Sequence, residues 1–88
     1  MTRVEMYSSS WCPFCYRAKR LLKSKGVEFA EYNVDAEPAL RSEMMSRSGG
    51  RRTVPQIFIA GAHVGGSDEL AALERAGRLD AMLEGAAP

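Results

Sequence analysis

The sequence predicts an α/β fold, in which a four-stranded mixed sheet is flanked by helices. Two observations predict this class. Short runs of apolar, aromatic or β-branched residues alternate with segments whose apolar positions recur at helical spacing, and two glycine-marked turns join the last two strands to each other and to a final helix. The 88 residues suit one domain, so we predict a single domain over residues 1–88.

The first third of the chain predicts a β-α-β unit. Arg3 to Tyr7 alternates and predicts a short strand, which the serines at 8–10 end. From Pro13 to about Ser24 apolar positions recur at helical spacing until Gly26 stops the run. Phe29 to Val34 predicts a second strand, which lies parallel to the first after a right-handed crossover.

A second helix and a hairpin follow. Pro38 opens the helix and residues 48–50 close it. The unbroken run Gln56–Ile59 predicts a central strand buried on both faces. The turn at Gly61 then leads into Ala62–Val64 as a short antiparallel partner.

A third helix begins after Gly65 and Gly66, with Ser67 as the candidate N-cap and acidic residues in the first turn. Gly77 breaks it, Leu79–Leu83 adds a short last turn, and residues 85–88 are expected to fray. The order β-α-β-α-β-β-α, with helices on both faces of a mixed sheet, is the thioredoxin fold.

Cys12 and Cys15 are the only cysteines. A pair with this spacing, between a strand and a helix, is typical of a thioredoxin-like redox motif. Pro13 suits the first helical position, which puts Cys12 at the helix mouth. Free N–H groups and the helix dipole favour a thiolate there, so Cys12 is the predicted nucleophile and Cys15 the resolving thiol.

Three alternatives for the thiol pair remain open: a structural disulfide, a metal site or two inert core thiols. The disulfide would close too small a loop to stabilise the fold much. A structural zinc site usually has four ligands, and beyond these thiols the chain offers a single histidine, His63. Redox chemistry is the favoured interpretation.

Charge and hydropathy restrict the partners. With 12 Lys and Arg against 11 Asp and Glu, the net charge of +1 argues against a general nucleic-acid binder. The basic residues of the first helix would attract anionic partners toward the thiols. No run approaches the ~18 apolar residues of a membrane span and the N-terminus lacks the apolar core of a signal peptide, so we expect a soluble, cytoplasmic protein without membrane or nucleic-acid partners.

Three motifs in this order carry a family resemblance: Cys12-Pro13-Phe14-Cys15, Thr53-Val54-Pro55 and Gly65-Gly66-Ser67-Asp68. With them the chain resembles a dithiol glutaredoxin of the short bacterial type. The resemblance implies an enzyme that reduces protein disulfides and glutathione mixed disulfides, with glutathione as cosubstrate and no metal. It also implies a monomer that acts on disulfide-bonded and glutathionylated proteins, with ribonucleotide reductase among the candidate partners.

The resemblance also implies a glutathione site. Thr53 and Val54 would pair through their backbone with the cysteine of glutathione, and Val54–Pro55 is expected cis. The helix start at Gly66, Ser67 and Asp68 would hold the γ-glutamyl end, with N–H groups on its carboxylate and Asp68 on its ammonium group.

One position departs from the family pattern. The family has a lysine three residues before the first cysteine, where it meets the glycyl carboxylate of glutathione, and this chain has Ser9. Arg41 is the predicted substitute, and Arg51 or Arg52 could help because the chain has one more residue than usual before Thr53.

Four further side chains near the motifs have weaker predictions. Trp11 and Phe14 flank the thiols and either contact a partner or pack on their own loop. Tyr7 is expected in the core, and His63 is expected to be an ordinary exposed residue.

Two other functions remain as alternatives. One is a redoxin reduced by thioredoxin reductase, against which Ser67-Asp68 favours glutathione. The other is a dimer that carries a [2Fe–2S] cluster on Cys12 and glutathione, which Pro13 disfavours because relatives of that kind often lack this proline.

Overall fold

A computed structural model describes residues 3–84 of the chain. Its elements, in chain order, are β1 (Val4–Ser8), α1 (Pro13–Ser24), β2 (Ala30–Asn33), α2 (Pro38–Arg47), β3 (Gln56–Ile59), β4 (Ala62–Gly65), α3 (Ser67–Arg75) and α4 (Leu79–Leu83). The predicted element order is confirmed. The prediction for residues 85–88 lies outside the described residues.

The four strands form one sheet in the order β2-β1-β3-β4. Strand β1 pairs in parallel with β2 and antiparallel with β3, and β3 pairs antiparallel with β4. This mixed sheet confirms the predicted thioredoxin fold. None of the helices within residues 3–84 is long and apolar enough to cross a membrane.

The sheet separates two apolar clusters, as expected when helices cover both faces. The larger cluster joins alternate residues of β1 and β3 to α1, α3 and α4; its buried members are Val4, Met6, Ala18, Leu22, Ile57, Ile59, Leu70 and Leu79. The smaller cluster lies on the α2 side and consists of Tyr7, Val34, Met44 and Phe58. All four residues of β3 are buried, which confirms it as a central strand.

A polar network fixes the end of α2 on the second face. Arg47 donates to both carboxylate oxygens of Glu5, over 2.9 and 3.2 Å, and to the hydroxyl of Tyr7 over 2.8 Å. The Tyr7 hydroxyl donates in turn to Glu43, and the Arg47 guanidinium lies 4.1 Å from the Phe58 ring centroid. Tyr7 is fully buried, so its placement in the core is confirmed.

Two element boundaries differ from the sequence prediction. Strand β2 covers only Ala30–Asn33, because Phe29 packs on the larger cluster instead of pairing. The N-cap of α3 is Gly66 and Ser67 is the first helical residue, so the assignment of Ser67 as N-cap was wrong. The cause is Glu69, whose carboxylate accepts a hydrogen bond from the Gly66 N–H over 2.6 Å and so caps the N-terminus of α3.

Candidate active site

The two thiols lie at the start of α1, as the sequence predicts. Cys12 is the N-cap in extended conformation and Pro13 follows at the first helical position. The Cys15 N–H donates to the Cys12 sulfur over 3.1 Å. The helix therefore offers the Cys12 sulfur one of its free N–H groups, which favours negative charge on that atom.

The thiols differ in exposure. Cys12 is partly exposed, whereas Cys15 is 1% exposed. Burial, followed by the hydrogen bond with Cys12, raises the pKa of the Cys15 thiol to about 12. A protonated, buried sulfur is a poor nucleophile, so the geometry favours Cys12 as the thiol that reacts first.

The loop before β3 meets the thiols from the other side. Its Val54–Pro55 bond is cis, which confirms the expectation for this bond. The Cys12 thiol lies 3.7 Å from the Val54 carbonyl oxygen, and Pro55 is buried beside it. This loop is therefore in contact with the reactive sulfur.

An open pocket adjoins this contact. Its lining comes from α1, the loop before β3 and the start of α3, and consists of Phe14, Arg51, Thr53, Val54, Pro55, Gly66, Ser67, Asp68 and Glu69. Six of the residues predicted for glutathione binding thus lie around one cavity, although they come from two segments more than ten residues apart in the sequence. Arg41 is not part of this lining.

The start of α3 packs closely on the loop. A Cβ atom at Gly66 would lie 3.2 Å from the Pro55 carbonyl oxygen, a distance that leaves little room for a side chain. Ser67 is buried, while Asp68 is exposed and lies 3.4 Å from Arg17 of α1. A glycine at position 66 therefore lets the helix N-terminus form one wall of the pocket.

Glu69 is a pocket residue that the sequence motifs do not include. The Gly66 N–H holds the pKa of the Glu69 carboxyl below its ordinary value, and Arg51 lowers it further while burial opposes both. Arg51 lies 3.5 Å from the same carboxylate. A glutamate three residues after the helix N-cap is the sequence signal of such a capping contact.

The candidate cations occupy different surroundings. Arg51 lines the pocket, whereas Arg41 lies 3.5 Å from Asp35 and donates to the Arg52 carbonyl oxygen over 3.1 Å. Arg41 thus reaches the loop that carries Arg51, but of these two arginines only Arg51 lines the pocket.

Exposed aromatic rings surround Cys12. Trp11 is 95% exposed and therefore does not pack on its own loop, while Phe14 is 53% and Tyr16 is 63% exposed. A second, more open depression is lined by Trp11, Pro13 and Tyr16 and also includes Cys12. Tyr16 was not selected from the sequence, although it follows Cys15 directly and its ring is as exposed as that of Phe14.

His63 is exposed, as the sequence predicts, but its ring makes two specific contacts. Its Nε2 atom lies 2.6 Å from Oε1 of Gln56, and its ring lies 5.1 Å from the Phe58 ring. Burial lowers the pKa of His63, and the charge of Arg51 lowers it further. The contact joins β4 to the residue that follows Pro55.

The described residues hold no cluster of three or more His, Cys, Asp or Glu side chains that would bind a metal ion. A partly exposed sulfur at a helix N-terminus, a buried second thiol and a cis-proline loop against them define a class of protein on this fold: the thiol–disulfide oxidoreductases.

Comparison with known proteins identifies the family within this class. The family model described as Glutaredoxin matches residues 4–64. A glutaredoxin from Pseudomonas aeruginosa is 55% identical over 83 residues, which cover 94% of this chain and 98% of the relative. The chain belongs to the glutaredoxin family.

Solved structures agree. The solution structure of glutaredoxin from Brucella melitensis is 51% identical, with a TM-score of 0.85 over 100% of this chain and 95% of that chain. The crystal structure of a buckwheat glutaredoxin–glutathione complex is 31% identical, with a TM-score of 0.86 over 94% of this chain and 77% of that chain.

Proposed function

We propose that this protein is a glutathione-dependent oxidoreductase that reduces glutathione mixed disulfides and protein disulfides. The observation that carries the proposal is the pocket that adjoins the contact between the Cys12 sulfur and the Val54 carbonyl and runs along Thr53 and Val54 to the N-terminus of α3. The site offers what a tripeptide thiol needs: a reactive sulfur next to the pocket and an anion-binding helix start in the pocket wall. The glutathione complex of the buckwheat relative supports this choice of ligand.

The monothiol reaction uses one protein sulfur. The Cys12 thiolate attacks the glutathione sulfur of a mixed disulfide, the S–S bond breaks, and the protein thiolate leaves. Cys12 is then bonded to glutathione. A second glutathione thiolate attacks the glutathione sulfur of that bond, which releases glutathione disulfide and regenerates Cys12.

The dithiol reaction adds Cys15. After Cys12 has attacked a protein disulfide, the Cys15 thiolate attacks the Cys12 sulfur, so that a Cys12–Cys15 disulfide forms and the substrate leaves as a dithiol. Two glutathione molecules reduce this disulfide. Because Cys12 itself helps to raise the pKa of Cys15, its conversion to a mixed disulfide removes a charge that disfavours the Cys15 thiolate.

The other site residues orient glutathione. The Thr53 and Val54 backbone pairs with the cysteinyl part, and Asp68 takes the ammonium group. The Gly66 N–H already donates to Glu69, so the N–H groups of Ser67 and Asp68 in the first turn of α3 donate to the γ-glutamyl carboxylate. The glycyl carboxylate meets an arginine near the loop, with Arg41 as the sequence-based candidate. No metal takes part in this scheme.

The family resemblance supports the remaining parts of the proposal. The 88 residues act as one domain and as a monomer, on disulfide-bonded and glutathionylated proteins that include ribonucleotide reductase as a candidate. A thiol pair that must return to its reduced form suits the cytoplasm, where glutathione keeps thiols reduced.

The test is turnover of a glutathione mixed disulfide of a small thiol, with reduced glutathione, glutathione reductase and NADPH. We expect saturable turnover with glutathione. A parallel reaction supplies thioredoxin reductase and NADPH in place of glutathione and glutathione reductase, and turnover supported only by that second system would overturn the proposal.

A further inference from the structure

The side chain of Gln56 links the pocket to the outer strand of the sheet. Gln56 is fully buried, and its amide nitrogen donates to both the carbonyl oxygen and the hydroxyl oxygen of Thr53, over 3.0 and 3.1 Å. Because these two bonds use the amide NH₂ group, they fix which end of the amide faces Thr53. The amide oxygen then faces His63.

His63 completes the arrangement from β4. The Gln56 Oε1 atom can only accept, so the His63 Nε2 atom, 2.6 Å away, must be the donor. The imidazole is held further by its ring contact with Phe58 at 5.1 Å. Three residues from the outer strand to the pocket edge thus form one chain of hydrogen bonds, in the order His63, Gln56, Thr53.

This chain determines the direction of a peptide group in the pocket. The Thr53–Val54 bond is trans, since the only cis bond within residues 3–84 is the next one. In a planar trans peptide the C=O and the N–H point in opposite directions. Because the Thr53 carbonyl points at the buried Gln56 amide, the Val54 N–H points away from the protein interior.

The Val54 N–H has no acceptor among the residues that the structure describes, while the Val54 carbonyl lies 3.7 Å from the Cys12 sulfur. An unpaired backbone donor next to a reactive sulfur is available to an extended ligand. Its direction is therefore a property on which binding depends.

We propose that Gln56 is a positioning residue, which aims the Val54 N–H at the backbone of a thiol-bound peptide by holding the Thr53 carbonyl, and that His63 keeps Gln56 in the required orientation. The proposal rests on the proposed function, because the peptide is glutathione. Neither Gln56 nor His63 contacts the ligand in this scheme.

The experiment measures KM and kcat for a glutathione mixed disulfide, together with the rate at which iodoacetamide alkylates Cys12. In Gln56→Met the apolar side chain has similar length and no donor, and we expect KM to rise about three- to tenfold, as for the loss of one hydrogen bond to the ligand. The alkylation rate should stay within about twofold of wild type, since the N–H group at the thiol is that of Cys15.

Variants of His63 provide a second measurement in case Gln56→Met fails to fold. His63→Leu removes the donor at an exposed position, and KM should rise by about two- to fourfold because Gln56 is then held less firmly. His63→Gln restores an amide donor of similar reach and should return KM to near the wild-type value. The matched control is Tyr32→Phe, which removes a part-buried hydrogen bond to Glu5 on β1, away from the pocket, and should leave KM unchanged.

The outcomes separate the two proposals. If wild type shows no glutathione-dependent turnover, the proposed function fails. If wild type turns over but folded Gln56→Met and His63→Leu keep the wild-type KM, the positioning role is overturned. It is also overturned if alkylation of Cys12 slows in parallel with turnover, because the substitutions would then act through a general loosening of the site.

Discussion

The backbone N–H of Cys15 points at the sulfur of Cys12 over 3.1 Å, while the sulfur of Cys15 lies buried behind it. One residue therefore has two effects on the pair: its N–H supports negative charge on Cys12, and its own thiol stays protonated because it is buried. This asymmetry gives the two sulfurs different chemistry although they are three residues apart.

Substitution of each thiol should separate the two reactions. We expect Cys12→Ser to abolish all turnover, since a serine hydroxyl is not ionised near neutral pH. Cys15→Ser should keep turnover of glutathione mixed disulfides and lose most reduction of protein disulfides. Both activities are measured with glutathione reductase and NADPH, and residual turnover of Cys12→Ser above a few per cent would remove Cys12 as the nucleophile.

Alkylation should discriminate between the thiols. Iodoacetamide reacts with thiolates, and the Cys15 thiol is 1% exposed with a pKa raised to about 12. At pH 6 to 8 we therefore expect one carbamidomethyl group per chain, located at Cys12 by peptide mass spectrometry. Equal modification of Cys15 in the folded, reduced protein would show that this thiol is accessible.

Stability should fall at alkaline pH. In the unfolded chain the Cys15 thiol ionises near its ordinary pKa of about 8.5, but in the folded protein its pKa is about 12. Between these values the unfolded state binds fewer protons than the folded state. The contribution of Cys15 to the free energy of unfolding is therefore fully present below pH 8.5 and is lost as the pH rises toward 12. Each pH unit in this window should cost about 1.4 kcal/mol.

Urea unfolding of the reduced protein at pH 8, 9 and 10 measures this loss. The matched variant is Cys15→Ala, which lacks the group, so the difference in free energy of unfolding between wild type and variant should shrink with rising pH. Tyr7 has its pKa raised to about 12 as well, mainly by burial, but it is present in both proteins. A difference that stays constant from pH 8 to 10 contradicts the prediction.

Several parts of this structure were predictable because single residues decide them. Pro13 sets the start of α1 and its thiol geometry, and the run of apolar residues in β3 allows only a buried strand. Other parts depend on side-chain contacts that the sequence pattern does not specify. The cap on Gly66 requires a particular rotamer of Glu69, and the contact of His63 with Gln56 depends on the register of the hairpin and on an irregularity in its pairing.

The ion pair between Arg47 and Glu5 should be a major stabilising contact of α2. Glu5 is 7% exposed, so Arg47→Met would leave its carboxylate buried with only the Tyr32 hydroxyl at 3.0 Å and the Arg3 guanidinium at 3.6 Å. We expect a loss of about 2 to 4 kcal/mol in the free energy of unfolding. The control is Lys19→Met, because the Lys19–Glu31 pair has side chains 27% and 37% exposed and should contribute only about 0.2 to 1 kcal/mol.

The same pair predicts an acid dependence. The hydrogen bond with Arg47 holds the pKa of Glu5 below its ordinary value, although burial opposes it. The stabilisation is therefore present above the unfolded pKa of about 4.3 and is lost as the pH falls through the lower folded value. Urea unfolding at pH 7, 5 and 3.5 should show a steeper loss for wild type than for Arg47→Met, and equal slopes would contradict the assignment.

The last relationship concerns the cation for the glycyl carboxylate. Arg51 is in the pocket wall, with its backbone N–H accepted by the buried Ser48 hydroxyl over 3.1 Å and its guanidinium 3.5 Å from Glu69. Arg41 lies outside the pocket lining, 3.5 Å from Asp35. Both arginines lie equally close to a carboxylate, so the position of Arg51 in the pocket wall is what favours it over the sequence-based candidate.

We therefore expect Arg51→Gln to raise KM for glutathione about two- to fivefold, the size of an exposed ion pair, and Arg41→Gln to raise it less. Arg52→Gln is the matched control. It removes the same charge from the next residue, whose side chain does not line the pocket, and it should leave KM unchanged. Ser9→Lys should lower KM, since it restores a cation at the position where the family has lysine. The rise in KM for Arg51→Gln and the fall in KM for Ser9→Lys should both become smaller in 1 M salt, where the Debye length falls to about 3 Å. Equal effects of Arg51→Gln and Arg52→Gln would mean that only the overall charge of the loop matters, and a rise confined to Arg41→Gln would return the assignment to Arg41.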